Sequence, residues 1–356
     1  MSGPLRIVLI ASARFPVSEP FAGGLEAHTW TLAKALSERG HHVELFAAPG
    51  SDPDLRVREL PVHQPVLSSA ARADVSMPDA VWMAEHHAYL QLMVDLARDG
   101  ERRFDVVHNN SLHHLPVAMA SALRLPVVTT LHTPPTPWLE SAVQAQERCP
   151  VTFTAVSAHT ARAWHATVPG ARVIRNGVDT RLWNPGPGGS YLVWSGRLVP
   201  EKGAHLAAGA ARKAGRPLRM AGPVGDRQYF TDCVEPLLGD GIDYVGHLDS
   251  RALAGLVGGA AAALVTPCWD EPYGLVVAEA LACGTPVCGF DRGALSEILT
   301  PDCGRLAPAD DPAALAALIP EAVRLDRRAA RERAEAFCSL DAMAEQYTAI
   351  YEELAL

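Results

Sequence analysis

Short β-branched runs alternate with helical patterns along the whole chain, a rhythm that points to parallel, doubly wound sheets. Strands are predicted at 5–11, 42–47, 56–60, 104–108, 127–132, 151–156 and 172–175, with helical patterns at 25–39, about 80–99 and 138–147. A strand, a helix and a second parallel strand cross over right-handedly, so consecutive units wind into one sheet. The rhythm breaks at Asn184-Pro185-Gly186-Pro187-Gly188-Gly189-Ser190, a run of turn formers that reads as a flexible linker. It restarts with strands near 191–196, 218–221, 242–246, 261–266 and 286–290 and helices at 202–214, 249–258 and 274–283. The tail, 311–356, reads as helical throughout. The expected fold is therefore α/β, with two Rossmann-like domains at 1–184 and 191–335 and a linker at 185–190. The last helical stretch, 336–356, is expected to pack back on the first domain. Such sheets bind ligands outside the carboxyl ends of their strands, which places the site in the cleft between the domains.

At 356 residues each domain is large enough to bury its own core. A formal net charge of −9 argues against nucleic acid as a partner, because backbone binding rests on clustered basic residues. No apolar run is long enough to span a bilayer, and the strand-like Arg6-Ile7-Val8-Leu9-Ile10-Ala11 leaves no room for a signal peptide before it. The 7 cysteines are scattered without a Cys-x-x-Cys pair, consistent with a reduced, cytoplasmic chain. Lysine occurs only at 34, 202 and 213, which makes Lys202 conspicuous.

Neither Gly-x-Gly-x-x-Gly nor a P-loop is present, so dinucleotide and P-loop chemistry lack their usual signatures. The segment from Asp270 to Pro286 instead places Glu271 just before a helix and Glu279 two turns inside it. Tyr273, Gly274, Leu275 and Val276 form the helix start, whose unpaired N–H groups and positive dipole end suit a phosphate. Carboxylates beside a phosphate need hydroxyls to hydrogen-bond, and a nucleotide-sugar carries both. In Tyr191 to Gly203 a strand ends in Ser195-Gly196, followed by Arg197 and then Lys202. Arg197 offers a planar fork for phosphate oxygens and Lys202 a mobile point charge. Gly23 and Gly24 let backbone approach a ligand closely, and His132 ends a strand facing the cleft. The histidine pairs at 41–42, 86–87 and 113–114 point in different directions and have no metal spacing. Asp52-Pro53-Asp54 lies in a turn-rich loop, and turn chemistry accounts for both aspartates.

The Glu271/Glu279 segment resembles the Glu-x7-Glu motif of retaining glycosyltransferases with the GT-B fold, and its surroundings resemble glycosyltransferase family 4. The resemblance runs from the glycine loop through Pro286. It implies that Glu271 contacts the donor sugar, Glu279 holds the ribose, and Arg197 and Lys202 clamp the diphosphate. It implies that Gly23 and Gly24 lie over the donor phosphate and that His132 contacts the transferring sugar. Gly222, Gly246 and His247 fall where the nucleobase is bound in that family. Asn176-Gly177-Val178-Asp179 matches a family phrase that closes the first domain.

The function so implied is retaining transfer of a sugar from a nucleoside diphosphate sugar, a UDP-sugar first, with no cofactor and no metal. A GT-B epimerase and an inactive nucleotide-sugar-binding protein are the alternatives; a phosphorylase would need a lysine for pyridoxal phosphate, and none follows position 213. The acceptor is expected to meet the stretch 60–103, where Trp82, His86 and Tyr89 are read as an aromatic wall. Acids outnumber arginines there, which favours a small soluble hydroxyl acceptor, such as a natural-product or amino-sugar scaffold, over a membrane lipid. Oligomeric state is not encoded in any of these features.

Overall fold

The computed structural model describes residues 3–60, 65–76 and 79–355. Two parallel sheets carry the chain. The first holds β1 (Arg6–Ile10), β2 (His42–Ala47), β3 (Val57–Glu59), β4 (Val106–Asn109), β5 (Val127–Leu131), β6 (Val151–Ala155) and β7 (Arg172–Val173) in the order 3-2-1-4-5-6-7. The second holds β8 (Leu192–Ser195), β9 (Leu218–Ala221), β10 (Ile242–Tyr244), β11 (Ala262–Val265), β12 (Val287–Phe290) and β13 (Gly304–Ala307) in the order 10-9-8-11-12-13. Central strands covered on both faces read as continuous apolar runs. β1 does so, with Ile7 to Ile10 all at 0% exposure.

In each sheet the strand order reverses beside the first strand, β1 or β8, and a crevice opens there at the carboxyl ends. The loops that leave β1, β4, β8 and β11 therefore carry Gly23, Asn110, Arg197 and Glu271 towards a common cleft.

The terminal helix, Leu340–Leu354, lies in the first domain, where Met343, Tyr347, Ile350 and Tyr351 join the core of β1, β2 and the first helix, Gly24–Glu38. His108 bridges it to the sheet, with Nδ1 2.6 Å from Tyr351 Oη and Nε2 2.7 Å from Thr130 Oγ1.

Several sequence expectations change. The segment 184–190 is fastened to the second domain and is not a free linker. Gly186 N donates to Cys283 O at 3.1 Å and Gly188 N to Gly258 O at 3.0 Å. The Arg327 guanidinium binds Gly186 O, Gly258 O and Ala260 O. A Cβ on Gly186 would sit 2.4 Å from the Gly258 carbonyl, so the glycine there permits contact and does not confer slack. The tail is not one helical run. It divides into Pro312–Ala322, Arg327–Phe337 and Leu340–Leu354, because Asp326 and Ser339 cap new helix starts by accepting from Arg328 N and Ala342 N. β13 and the helix Ala158–Trp164 are additions, both too short to produce a periodic signal.

Candidate active site

Two cavities open side by side in the cleft and share Gly24, Arg197 and Leu275. The first, about 990 Å³, runs between Ser195, Gly222, His247 and Glu279. The second, about 900 Å³, holds Glu26, His132, Lys202 and Glu271. Each is large enough for a small ligand.

Gly274 caps the helix Leu275–Ala282 in the left-handed region, with φ 94°, a conformation that favours glycine. The first helical hydrogen bond runs from Val277 N to Gly274 O, which leaves the N–H groups of Leu275 and Val276 ahead of it as an anion cradle. Gly24 packs against Leu275 from the opposite domain, where a Cβ would stand 3.7 Å from its side chain. A Cβ on Gly23 would meet both Arg197 Nη2 and Glu26 Oε2 at 3.3 Å. Arg197 thus stands at the junction of the two cavities. Its buried Nε has no hydrogen-bond partner among the described residues.

Lys202 and Glu271 are tied together. Lys202 Nζ donates to Glu271 Oε2 at 2.6 Å, and Trp269 Nε1 donates to the same oxygen at 3.0 Å. The lysine expected to serve the diphosphate therefore also fixes the first glutamate.

Glu279 lines the first cavity without a hydrogen-bond donor among the described residues, and burial pushes its carboxyl up to about 8. His132 lies just past β5 in the second cavity, its Nε2 3.0 Å from Asn110 Oδ1 and its ring 4.9 Å from His28. Burial, then the neighbouring His28 and His108, hold it well below the ordinary histidine range, so it is neutral.

Around the first cavity, Gly222 has φ 142°, and a Cβ there would fall 1.9 Å from Gly196 O. Gly222 N donates to Gly246 O at 2.9 Å, so Gly246 supports the wall from behind and does not line it. His247 does line it, and its Nε2 donates to Phe21 O across the cleft at 2.9 Å. Tyr273 lines the second cavity and also has a structural tie. It is 3% exposed, and its hydroxyl donates to Asn176 O at 2.7 Å, which ties the two domains together. Asp52 is committed as well: it accepts from Trp30 Nε1 at 2.6 Å and from Asp54 N at 2.9 Å, as a turn residue does.

Residues 22–182 match the family described as Glycosyltransferase Family 4, and residues 183–337 match Glycosyl transferases group 1. The chain belongs to glycosyltransferase family 4. It is 29% identical to a glycogen synthase of Mycobacterium tuberculosis, covering 92% of this chain and 90% of that protein. The sucrose-phosphate synthase of Thermosynechococcus elongatus superposes with a TM-score of 0.77 at 22% identity, over 98% of this chain and 99% of the other. Anabaena HepE in complex with UDP-glucose gives 0.76 at 18% identity, over 98% and 100%. These two likenesses establish the GT-B fold.

Glu26 is a residue of this glycosyltransferase that sequence reasoning passed over. It is 5% exposed, in the first turn of the first helix, and faces the second cavity. Burial raises its pKa, while its own backbone N–H and Arg197 oppose that rise. Its only sequence signal was an acid two residues after the glycine pair. The expected acceptor wall is also redrawn. Tyr89 is 1% exposed, and its hydroxyl donates to Ala11 O and accepts from Ala13 N, so it belongs to the core. Trp82 and His86 stack together at 5.1 Å nearer the surface. Of the stretch 60–103, residues 61–64 and 77–78 lie outside those described.

Among the described residues no helix is long and apolar enough to cross a membrane, and no three His, Cys, Asp or Glu side chains converge as metal ligands.

Proposed function

We propose that this glycosyltransferase moves a sugar, with retention, from a nucleoside diphosphate sugar to a small soluble hydroxyl acceptor, such as a natural-product or amino-sugar scaffold. A UDP-sugar, the class present in the HepE complex, is the first donor to try. The observation that carries the reading is Arg197 at the junction of two cavities, opposite the open helix start at Leu275. The nucleoside would occupy the first cavity with its ribose on Glu279. The diphosphate would lie across Arg197 and the N–H groups of Leu275 and Val276. The sugar would enter the second cavity beside Glu271 and His132. Charge developing on the departing diphosphate then meets fixed donors, the arrangement that lowers such barriers most. Arg197, Lys202 and the helix dipole supply the positive potential for a reaction without a metal ion. Neutral His132, whose Nε2–H is held by Asn110 Oδ1, can accept a hydrogen bond from a sugar hydroxyl at Nδ1 without adding charge. The acceptor hydroxyl attacks from the face that the diphosphate leaves and passes its proton to the departing phosphate oxygen.

A thermal-shift panel of UDP, GDP, ADP and TDP with their common sugars, Glu279→Ala as control, tests the donor half. A ligand at about 100 times its Kd stabilises by roughly 2.7 kcal/mol, enough to move a melting curve. One nucleotide series should stabilise the wild type and act weakly on the control; no response to any series removes the reading. Acceptor-dependent release of nucleoside diphosphate, undiminished by EDTA, is the expected activity. Donor isomerisation without acceptor would identify an epimerase.

A further inference from the structure

Beside the second cavity's lining residues Leu112 and Thr133 lies a bank of stacked rings that donor binding does not use. Trp82 and His86 come from the helix Ala80–Arg103, His113 and His114 from the loop after β4, and Trp138 from the first turn of the helix Pro137–Gln144 that follows β5. Trp82 stacks on His86 at 5.1 Å, His86 on His114 at 5.8 Å, and His114 on Trp138 at 5.1 Å. The two indoles meet at 6.1 Å, closing the bank into a ring of aromatic faces. Burial brings His113 down to about 3 and also lowers His114, so these two imidazoles are neutral at physiological pH.

Two properties set the bank apart from core packing. Trp138 is 59% exposed and Trp82 36%, while Tyr89 on the same helix as Trp82 is sealed inside. The bank also adjoins the reaction cavity through its chain neighbours. Leu112 and Thr133 line that cavity; Leu112 precedes His113 in its loop, and the loop of Thr133 leads into the helix that carries Trp138. Arg14 lines it too and stands 3.6 Å from Glu85, the neighbour of His86. Large exposed aromatics beside a cavity mark a surface that something covers.

We propose that the bank is an acceptor subsite that takes a pyranose ring of a saccharide, laid C–H face down on Trp82 and Trp138 while the adjoining ring presents its hydroxyl in the cavity at His132. This rests on the transferase reading above and narrows its acceptor to a saccharide of at least two rings. A pyranose has an apolar C–H face and a rim of hydroxyls. The electron-rich face of an indole attracts the former, and water at the cleft mouth solvates the latter. Lipid chains need no flat faces, and the bank's own rings are indoles and imidazoles that offer flat ones.

Saturation-transfer NMR and calorimetric titration of the full chain with glucose, mannose, maltose, cellobiose and mannobiose test the subsite. Each is run with and without the nucleoside diphosphate that stabilises the protein most. At least one disaccharide should bind about ten-fold tighter than its monosaccharide, the scale of one good ring contact. Trp82→Ala and Trp138→Ala should each abolish that preference and leave the nucleotide thermal shift unchanged. Trp138→Phe, which keeps a flat ring, should retain most of it. Equal binding of one and two rings, no saccharide binding, a preference that survives both alanine variants, or Trp138→Phe as damaging as Trp138→Ala would each overturn the subsite. Failure of every nucleoside diphosphate to stabilise the wild type is a separate result and counts against the donor reading.

Discussion

Glu279 is a partly buried carboxyl group without a donor among the described residues, in a cavity shaped for hydroxyls, and that has a price in the free protein. Its pKa, raised to about 8, means that the folded state keeps a proton that the unfolded chain has already lost. Stability from this group is present below the ordinary carboxylate pKa and declines as pH rises towards 8, by at most about 1.4 kcal/mol per pH unit. Glu279→Gln removes the decline. Thermal melts without ligand should show variant and wild type close together at pH 5 and the variant more stable at pH 8, while its nucleotide shift is weakened at both. A stability difference independent of pH would show that the carboxylate is not strained as described. Lys202 gives a second residue-scale expectation, because its ammonium holds Glu271 at 2.6 Å and faces the same cavity as Arg197. Lys202→Met should lower turnover by about 100-fold, the scale of losing one fixed donor to developing charge. A rate within a few-fold of wild type would remove Lys202 from the chemistry.

At the scale of elements, the ends of β8 and β9 approach so closely at Gly196 and Gly222 that no side chain fits between them. Gly222→Ala places a Cβ 1.9 Å from Gly196 O at a φ of 142° and must spread the wall of the nucleotide cavity. The expected loss is about 1–3 kcal/mol in chemical denaturation, together with loss of the nucleotide thermal shift. Wild-type behaviour in both would mean that the strand ends adjust freely. The sequence made these strands legible because buried parallel strands are continuous apolar runs, and the glycines and charged motifs stood directly at their carboxyl ends. Illegible were contacts between elements far apart in the chain. Arg327 fastens the Gly186 turn from 141 residues away, so composition marked a linker where packing left none. Trp82, His86 and Tyr89 share helical spacing, yet the helix turns Tyr89 into the core, and the outer partner of Trp82 is Trp138, from the helix Pro137–Gln144. Glu26 was unreadable because the cavity it shares with Arg197 joins positions far apart in the chain.

Across the whole molecule, buried neutral imidazoles set the acid limit. His28 is brought down to about 4 and His108 and His113 to about 3, and burial is the leading cause for each. The unfolded chain takes up these protons first, so stability is complete above about pH 6.5 and falls as pH drops below it. Melts from pH 7.5 to 5 should show a steep acid loss, reduced in a His108→Gln variant; an unchanged profile would shift the cause elsewhere. The donor loop is also mechanically joined to the opposite domain. Ser157 Oγ and Thr160 Oγ1 donate to Pro272 O at 2.6 and 3.1 Å, one residue from Glu271. The Glu297 carboxylate accepts from Ala158 N at 3.0 Å and His159 N at 2.5 Å, which caps a helix of the other domain. Ala294 N donates to Glu271 O at 2.8 Å, so this capping loop also holds the first glutamate's backbone. Any opening of the cleft that separates these partners therefore disturbs Glu271, and closure restores it. Glu297→Ala orphans the helix start, at a cost of about 1 kcal/mol for a lost cap. It should raise the radius of gyration in X-ray scattering of the free protein and raise KM for the donor more than it lowers kcat. If scattering is unchanged and kcat alone falls, Glu297 acts on the loop of Glu271 and not on the coupling of the two domains.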